Sequence, residues 1–166
     1  AYSITSCWAR GQAFGIYGFT EAYQNTKNYR FLKTAQRMAD YYLAHAPADG
    51  VPYWDFLAPN IPNEPRDSSA AAITAAGLLQ LSQAVTDPAK KKQYREMAVK
   101  IVDSLTRSYL ATGEAIEQGR ILLHGTIHKP AGIGVDESTI IGDYYYLEAL
   151  MKVIEEQGNV SPDAKQ

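Results

Sequence analysis

Two kinds of helical hydrophobic pattern alternate along the chain. Residues 10–24, 69–85 and 139–156 are apolar nearly all round, which is typical of helices buried on most sides. Residues 28–45 and 88–109 instead carry one apolar stripe opposite a charged face, which is typical of helices at a surface. A weak repeat of roughly 60 residues accompanies this alternation. The pattern therefore predicts five helices in two layers, three inner and two outer.

The connections between these helices differ in length in a regular way. The first two inner helices each lead to an outer helix through a few residues. The connections from an outer helix back to the next inner one, residues 46–67 and 111–138, are long. Loops beyond about 12–15 residues in compact domains are usually functional or disordered, and these two contain Trp54, His124 and His128. Both bring the chain to the N-terminal ends of inner helices, which favour anionic groups. We expect the site on that face.

Charge and composition exclude several function classes. With 16 Lys+Arg against 18 Asp+Glu, the net charge of -2 argues against nucleic acid or an anionic membrane surface as the partner. The single cysteine, Cys7, excludes an internal disulfide and a thiolate-rich metal site, and leaves the compartment undecided. The 12 Tyr, 4 Phe and 2 Trp suit a sugar-binding surface, because such rings are apolar in body and polar at the tip.

The start of the first inner helix combines groups that could bind an acidic sugar. Trp8, Arg10, Gln12 and Phe14 supply two rings, a guanidinium and an amide within seven residues. The guanidinium could hold a carboxylate bidentately, and the rings could stack on a sugar. The alternative is that Arg10 pairs with a neighbouring acid and the rings belong to the core.

Two aspartates stand at the other inner helices. Asp67 or Ser68 is expected to cap the helix that follows, with a direct catalytic role as a minority alternative. Asp143 lies inside an apolar helix, and burying an unpaired carboxylate is expensive. It should therefore have a partner such as Arg10, or serve a site.

The long loops offer two histidines and a tryptophan. His124 and His128 are four residues apart, but the glycine and proline around them predict a loop, which disfavours a metal site. A substrate hydrogen bond and plain surface exposure both remain open for them. Trp54 is either an anchor of its loop or a platform for a sugar ring.

Four stretches resemble the C-terminal half of the unsaturated glucuronyl hydrolases, glycoside hydrolase family 88. They are WARGQAFGIYGFTEAY, PYWDF, RDSSAAAITAAGLLQL and GVDESTIIGDYYYLEALMKV, in family order over nearly the whole chain. The resemblance implies an all-α (α/α)6 toroid, of which residues 1–166 would be the C-terminal part of a single domain without its N-terminal hairpins. The first residues look like neither a translation start nor a signal peptide, so we expect a piece of a longer protein.

The resemblance also implies a reaction. Family members release 4,5-unsaturated uronic acid from oligosaccharides made by polysaccharide lyases, by hydrating the enol-ether double bond. An aspartic acid protonates the double bond, water adds, and the hemiketal opens; no metal or organic cofactor takes part. The catalytic aspartates are expected upstream of residue 1, so this chain alone should be inactive and its partner should be the missing N-terminal half. Such chemistry suits a bacterium, in the cytoplasm or the periplasm.

Site residues follow from the resemblance position by position. Arg10 and Phe14 match the family's substrate-contacting Arg and Trp, and Trp8 and Gln12 are assigned to the same contact set. His128 falls where some members place a substrate-contacting histidine and others a serine that acts with a lysine on sulfated sugars. Ile133 occupies that lysine's place, which disfavours sulfate. The framework of the pocket is expected to comprise Trp54, Asp67, Ser68, His124 and Asp143.

Two alternatives remain open at this stage. One is a related family 105 enzyme, an unsaturated rhamnogalacturonyl hydrolase. The other is a non-catalytic helical-repeat module that binds a glycan or a protein on its aromatic face. A repeat module would expose a groove, whereas part of a toroid should expose a large apolar patch where the other hairpins belong.

Overall fold

The computed structural model describes residues 1–158, so the last residues of the domain predicted over 1–166 lie outside the described part. Its helices are α1 (Ala9–Thr26), α2 (Tyr29–His45), α3 (Ser68–Ala84), α4 (Pro88–Ser108), the single turn α5 (Glu114–Glu117) and α6 (Ile140–Gly158). Two short strands, β1 (Gly125–His128) and β2 (Ile133–Glu137), stand between α5 and α6.

Helix α3 is the centre of the molecule. It packs against α1 on one side and α6 on the other, and nearly all of its residues are buried. Helix α2 packs on α1, and α4 packs mainly on α3, so the two amphipathic helices form an outer layer. The prediction of three inner and two outer helices is confirmed, with ends within a few residues of those expected.

Small residues let the inner helices approach closely. A Cβ placed on Gly77 of α3 would lie 3.0 Å from the backbone nitrogen of Tyr17 in α1, and one on Gly142 of α6 would lie 3.4 Å from Cβ of Ser69. The alanines at positions 70–72, 75 and 76 are fully buried in the same helix. The alanine-rich sequence of α3 thus serves close packing on several sides.

The helix starts follow their capping residues. Asp67 Oδ1 accepts hydrogen bonds from the backbone nitrogens of Ser69 (3.1 Å) and Ala70 (3.3 Å), and Asp87 caps α4 in the same way ahead of Pro88. The Asp67 cap confirms the sequence prediction for α3, and Pro88 stands at the first helical position after Asp87. Of the two residues proposed to cap α3, Asp67 is the cap and Ser68 is the first helical residue.

The prediction of a loop around the two histidines was wrong. Residues 125–128 form β1, which pairs antiparallel with β2 through a turn that includes a 3-10 segment, Lys129–Ala131. Glycines at positions 132 and 134 supply positive φ angles of 67° and 53° after the turn. Four residues are too few for an alternating pattern to be read, and burial of only one end of β1 hides it further. A small sheet therefore joins the otherwise helical fold.

Helix α6 carries an exposed apolar stripe. Five large side chains, spaced three or four residues apart, are 43% to 81% exposed: Ile140, Tyr144, Leu147, Met151 and Ile154. Contiguous apolar surface of this kind marks an interaction site. Within residues 1–158, no helix has the length and apolar character needed to cross a membrane.

Candidate functional site

The starts of the inner helices and the two long connections meet on one side of the molecule, which we call the N-terminal face. The backbone nitrogen of Ala9, at the start of α1, donates to the carbonyl of Trp54 (3.1 Å). The backbone nitrogen of Ser68, at the start of α3, donates to the carbonyl of His124 (3.0 Å). The expectation that one face collects the candidate residues is met for most of them.

Arg10 is the centre of this face and is only 4% exposed. Its Nη1 donates to the carbonyl of Thr126 (2.9 Å) and to Oγ of Ser69 (3.2 Å), while Nη2 donates to the carbonyl of Ile127 (2.6 Å). Its guanidinium also lies 5.0 Å from the ring centroid of Trp8. The side chain therefore joins α1, α3 and β1.

Asp67 is the acid beside Arg10. Its Oδ2 lies 3.6 Å from Arg10 Nη1, and its Oδ1 also accepts from the backbone nitrogen of Thr126 (3.4 Å). Burial raises the pKa of Asp67, against the lowering effect of Arg10, the Ser69 hydroxyl and backbone N–H groups. Of the two interpretations of Arg10, pairing with a neighbouring acid is confirmed, and that acid also caps α3.

Asp143 does not pair with Arg10, so the partner suggested from the sequence was wrong. Its Oδ1 accepts a hydrogen bond from the backbone nitrogen of Leu122 (2.8 Å), and the residue is 7% exposed. Arg10 pairs instead with Asp67 at the start of α3, whereas the chain leading to β1 passes over the start of α6. Asp143 thereby fixes the approach to the hairpin.

An aromatic surface runs from α1 to α6. Phe14 is 38% exposed and meets the ring of Tyr145 edge-on, with centroids 5.8 Å apart. Tyr145 in turn meets Tyr17 at 5.1 Å, and the Tyr17 hydroxyl donates to Glu148 (3.2 Å). Burial, as the main cause, raises the pKa of Tyr17 to about 12. Tyr145 was missed as a site candidate, although the Tyr144–Tyr146 run in an inner helix was a usable signal.

Trp54 is an anchor and not a platform, since it is 3% exposed. Its Nε1 donates to Oε2 of Glu64 (2.9 Å), which also lies 3.2 Å from Nζ of Lys129 in the hairpin turn. Burial alone would raise the pKa of Glu64, but hydrogen bonds from Trp54 and Lys129 and the charge of Lys129 lower it overall. No pattern in its proline-containing loop pointed to Glu64.

The two histidines have separate surroundings. His124 is exposed, and its Nδ1 lies 2.7 Å from Oδ1 of Asp136 at the base of the hairpin. His128 is exposed at the end of β1, where its register partner in β2 is Ile133. In the part of the chain that the structure describes, no group of three or more His, Cys, Asp or Glu could hold a metal ion.

Gln12 points away from the other candidates. Its amide donates to the carbonyl of Met38 in α2 (2.8 Å), and its oxygen accepts from Sγ of Cys7 (3.5 Å). It lines a cavity of about 410 Å³ between the N-terminal segment and α2. The geometry thus links Gln12 to the outer layer, and brings Trp8, Arg10, Asp67, Ser68 and the hairpin together without it.

Comparisons with known proteins find sequence relatives of one kind. No protein-family model matches the chain. The unsaturated glucuronyl hydrolase of Bacillus sp. (strain GL1) is 43% identical over 150 residues, 89% of this chain and 39% of that protein. The unsaturated chondroitin disaccharide hydrolase of Streptococcus agalactiae serotype III is 39% identical over 153 residues, 91% of this chain and 38% of that protein.

The solved structures that this chain resembles belong to the same group of enzymes as its sequence relatives. An unsaturated glucuronyl hydrolase specific for heparin has a TM-score of 0.86 at 40% identity, over 93% of this chain and 41% of that one. An aspartate-to-asparagine mutant from Streptococcus agalactiae, complexed with dGlcA-GalNAc6S, has a TM-score of 0.87 at 37% identity, over 94% of this chain and 41% of that one.

These matches confirm the fold class, because the structural relatives are (α/α)6 toroid enzymes whose backbone the inner and outer helices follow. The chain spans about two fifths of the length of the relatives it matches. That share fits the C-terminal half indicated by the motifs. The chain is a homologue of the unsaturated glucuronyl hydrolases of glycoside hydrolase family 88.

Proposed function

We propose that the protein carrying this chain releases 4,5-unsaturated uronic acid from lyase-generated oligosaccharides. The observation that carries the proposal is 43% identity over 89% of the chain to an unsaturated glucuronyl hydrolase. The reaction is hydration of the enol-ether double bond, in which a carboxylic acid donates a proton and water adds. The hemiketal that results opens and expels the remaining sugar.

The domain proposal is that residues 1–166 form the C-terminal part of one (α/α)6 domain, whose catalytic aspartates belong to the part of the relatives' length that this chain does not match. The exposed stripe on α6 supports it, because an inner helix of a closed toroid has inner neighbours on both sides. Met151, 60% exposed here, would then be buried against the remaining hairpins.

For this chain, the proposal assigns substrate contacts to the N-terminal face. The exposed ring of Phe14, backed by Tyr145, offers a stacking surface for the sugar. His128 offers a hydrogen bond, and Arg10 beside Trp8, with its charge balanced by Asp67, holds the backbone of β1 in place under the site. Gln12 is left out of the contact set, because its amide is bonded to the outer layer.

The hairpin supports a sugar without sulfate. Ile133, 58% exposed, lies opposite His128 in the strand register, so an apolar side chain stands where the resemblance places a sulfate-binding lysine in other members. An isoleucine offers no donor or charge to a sulfate. We therefore propose an unsulfated unsaturated disaccharide as the preferred substrate.

The test is the absorbance of the double bond of unsaturated uronyl disaccharides, followed with the intact protein that carries this chain. Loss of absorbance on the unsulfated disaccharide, faster than on its 6-sulfated counterpart, is expected. Ile133→Lys should raise kcat/KM for the sulfated substrate about tenfold relative to the unsulfated one. An intact protein that consumes neither disaccharide would contradict the proposed reaction, and preference for the sulfated one would contradict the specificity.

A further inference from the structure

The β1–β2 hairpin is held at two separate points. At its base, Arg10 donates to the carbonyls of Thr126 and Ile127 (2.9 and 2.6 Å). At its turn, Nζ of Lys129 lies 3.2 Å from Oε2 of Glu64. A two-stranded hairpin with strands this short is marginal in water by itself, so its position depends on such anchors.

Glu64 is a rigid point on which a turn can be fixed. Its side chain is 2% exposed, and its Oε2 also accepts the Trp54 indole hydrogen bond (2.9 Å). Both backbone groups of Trp54 are hydrogen-bonded: its nitrogen donates to the carbonyl of Pro65 (3.0 Å), and its carbonyl accepts from the nitrogen of Ala9 (3.1 Å). Glu64 is therefore tied to the start of α1, the helix that carries Phe14.

Three side chains near the turn of the hairpin are exposed. Ile127 is 42% exposed and Ile133 is 58% exposed, and His128 is exposed beside them. The Lys129 side chain is itself 37% exposed and lies 5.9 Å from the ring centroid of Trp54. Loss of the turn anchor would thus free the exposed end of the hairpin while the Arg10 anchor still holds its base.

We propose that Glu64 is a positioning residue for substrate recognition. Through Lys129 it fixes the hairpin turn, so that His128 and Ile133 stand at a set distance from the ring of Phe14. This inference rests on the proposed function and deepens it, because it adds a residue that acts on the substrate only through the hairpin.

Three variants of the intact protein test the proposal. Glu64→Gln keeps an acceptor for the Trp54 indole but removes the charge that holds Lys129. Lys129→Met removes the other partner of the pair at a partly exposed position, and the Trp54 indole still donates to Glu64 in this variant. Asp40→Asn is the control, because it removes the charge from the Lys90–Asp40 pair (2.6 Å), which joins α2 and α4 and includes no residue of the hairpin.

Two measurements are made on each variant: KM and kcat on the unsulfated unsaturated disaccharide, and amide hydrogen exchange of residues 125–137. We expect Glu64→Gln and Lys129→Met to raise KM about three- to tenfold with little change in kcat, and to speed exchange in the hairpin. The double variant should be no worse than either single one, because both remove the same interaction. Asp40→Asn should change neither KM nor hairpin exchange.

The outcomes separate the inference from the proposed function. An active wild-type protein whose KM and hairpin exchange are unchanged by Lys129→Met would overturn the positioning role and leave the function standing. A fall in kcat with unchanged KM would also overturn it. A wild-type protein that consumes no unsaturated disaccharide would overturn the function itself, and the substrate-positioning role with it.

Discussion

The guanidinium of Arg10 lies 3.6 Å from the carboxylate of Asp67, and the two side chains are only 5% and 0% exposed. The same guanidinium donates to the carbonyls of Thr126 and Ile127. One buried cation therefore connects α1, the N-terminus of α3 and the hairpin. The resemblance marks Arg10 as a substrate contact, but three protein acceptors already hold it in place.

Removal of the Asp67 carboxylate should strongly destabilise the folded chain. We expect Asp67→Ala to lower the free energy of unfolding by about 3–5 kcal/mol, because a buried guanidinium loses its counter-ion. Helix α3 also loses its N-cap. Urea unfolding of the 166-residue chain measures the change.

The control is an exposed pair on α4. Lys92 and Glu96 are 76% and 63% exposed, so Glu96→Ala should change the free energy of unfolding by less than about 1 kcal/mol. Equal losses of unfolding free energy in the Asp67→Ala and Glu96→Ala variants would show that the buried pair stabilises the chain no more than the exposed one.

Two helical glycines should respond in opposite ways to the same substitution. Gly77→Ala should destabilise the chain by about 1–3 kcal/mol, because the new Cβ would lie 3.0 Å from the backbone nitrogen of Tyr17 and push α1 from α3. At Gly18 a Cβ meets nothing within 4 Å, so Gly18→Ala should stabilise α1 by about 0.4–1 kcal/mol. Thermal unfolding of both variants decides; a neutral Gly77→Ala would contradict the close packing.

Stability should depend on pH through Glu64. Its pKa in the folded chain is lowered below the ordinary value of 4.5, so its contribution is fully present above that value. The contribution is lost as the pH falls through the folded pKa, because the unfolded chain takes up the proton first. The stability difference between wild type and Glu64→Gln should therefore shrink on acidification from pH 7 toward about pH 3. Urea unfolding across that range measures it, and a difference that grows in acid would reverse the assigned sign.

The stripe on α6 should matter only in the intact protein. Met151 is 60% exposed, so Met151→Ala should change the unfolding free energy of the 166-residue chain by no more than about 0.5 kcal/mol. In the intact protein the same substitution should cost about 2–5 kcal/mol, because the remaining hairpins would bury the side chain. Equal effects in the two proteins would contradict the proposed domain.

The helices were predictable and the contacts of the site were not. Periodicity located five helices, and the polar residues before an apolar run predicted a cap at Asp67 or Ser68, of which the structure shows Asp67. Arg10, by contrast, donates to the backbone carbonyls of Thr126 and Ile127. Every residue has such a carbonyl, so the residue types do not indicate which ones accept. The Glu64 anchor joins two loops, so no local pattern connects it to Lys129.

The most direct measurement compares the intact protein with the 166-residue chain, each checked by intact mass, for loss of the double-bond absorbance of an unsulfated unsaturated uronyl disaccharide. The account predicts that the intact protein consumes the double bond and the chain alone does not. Consumption by the chain alone would contradict the placement of the catalytic aspartates outside it, and would place the acid among Asp67, Asp136 and Asp143.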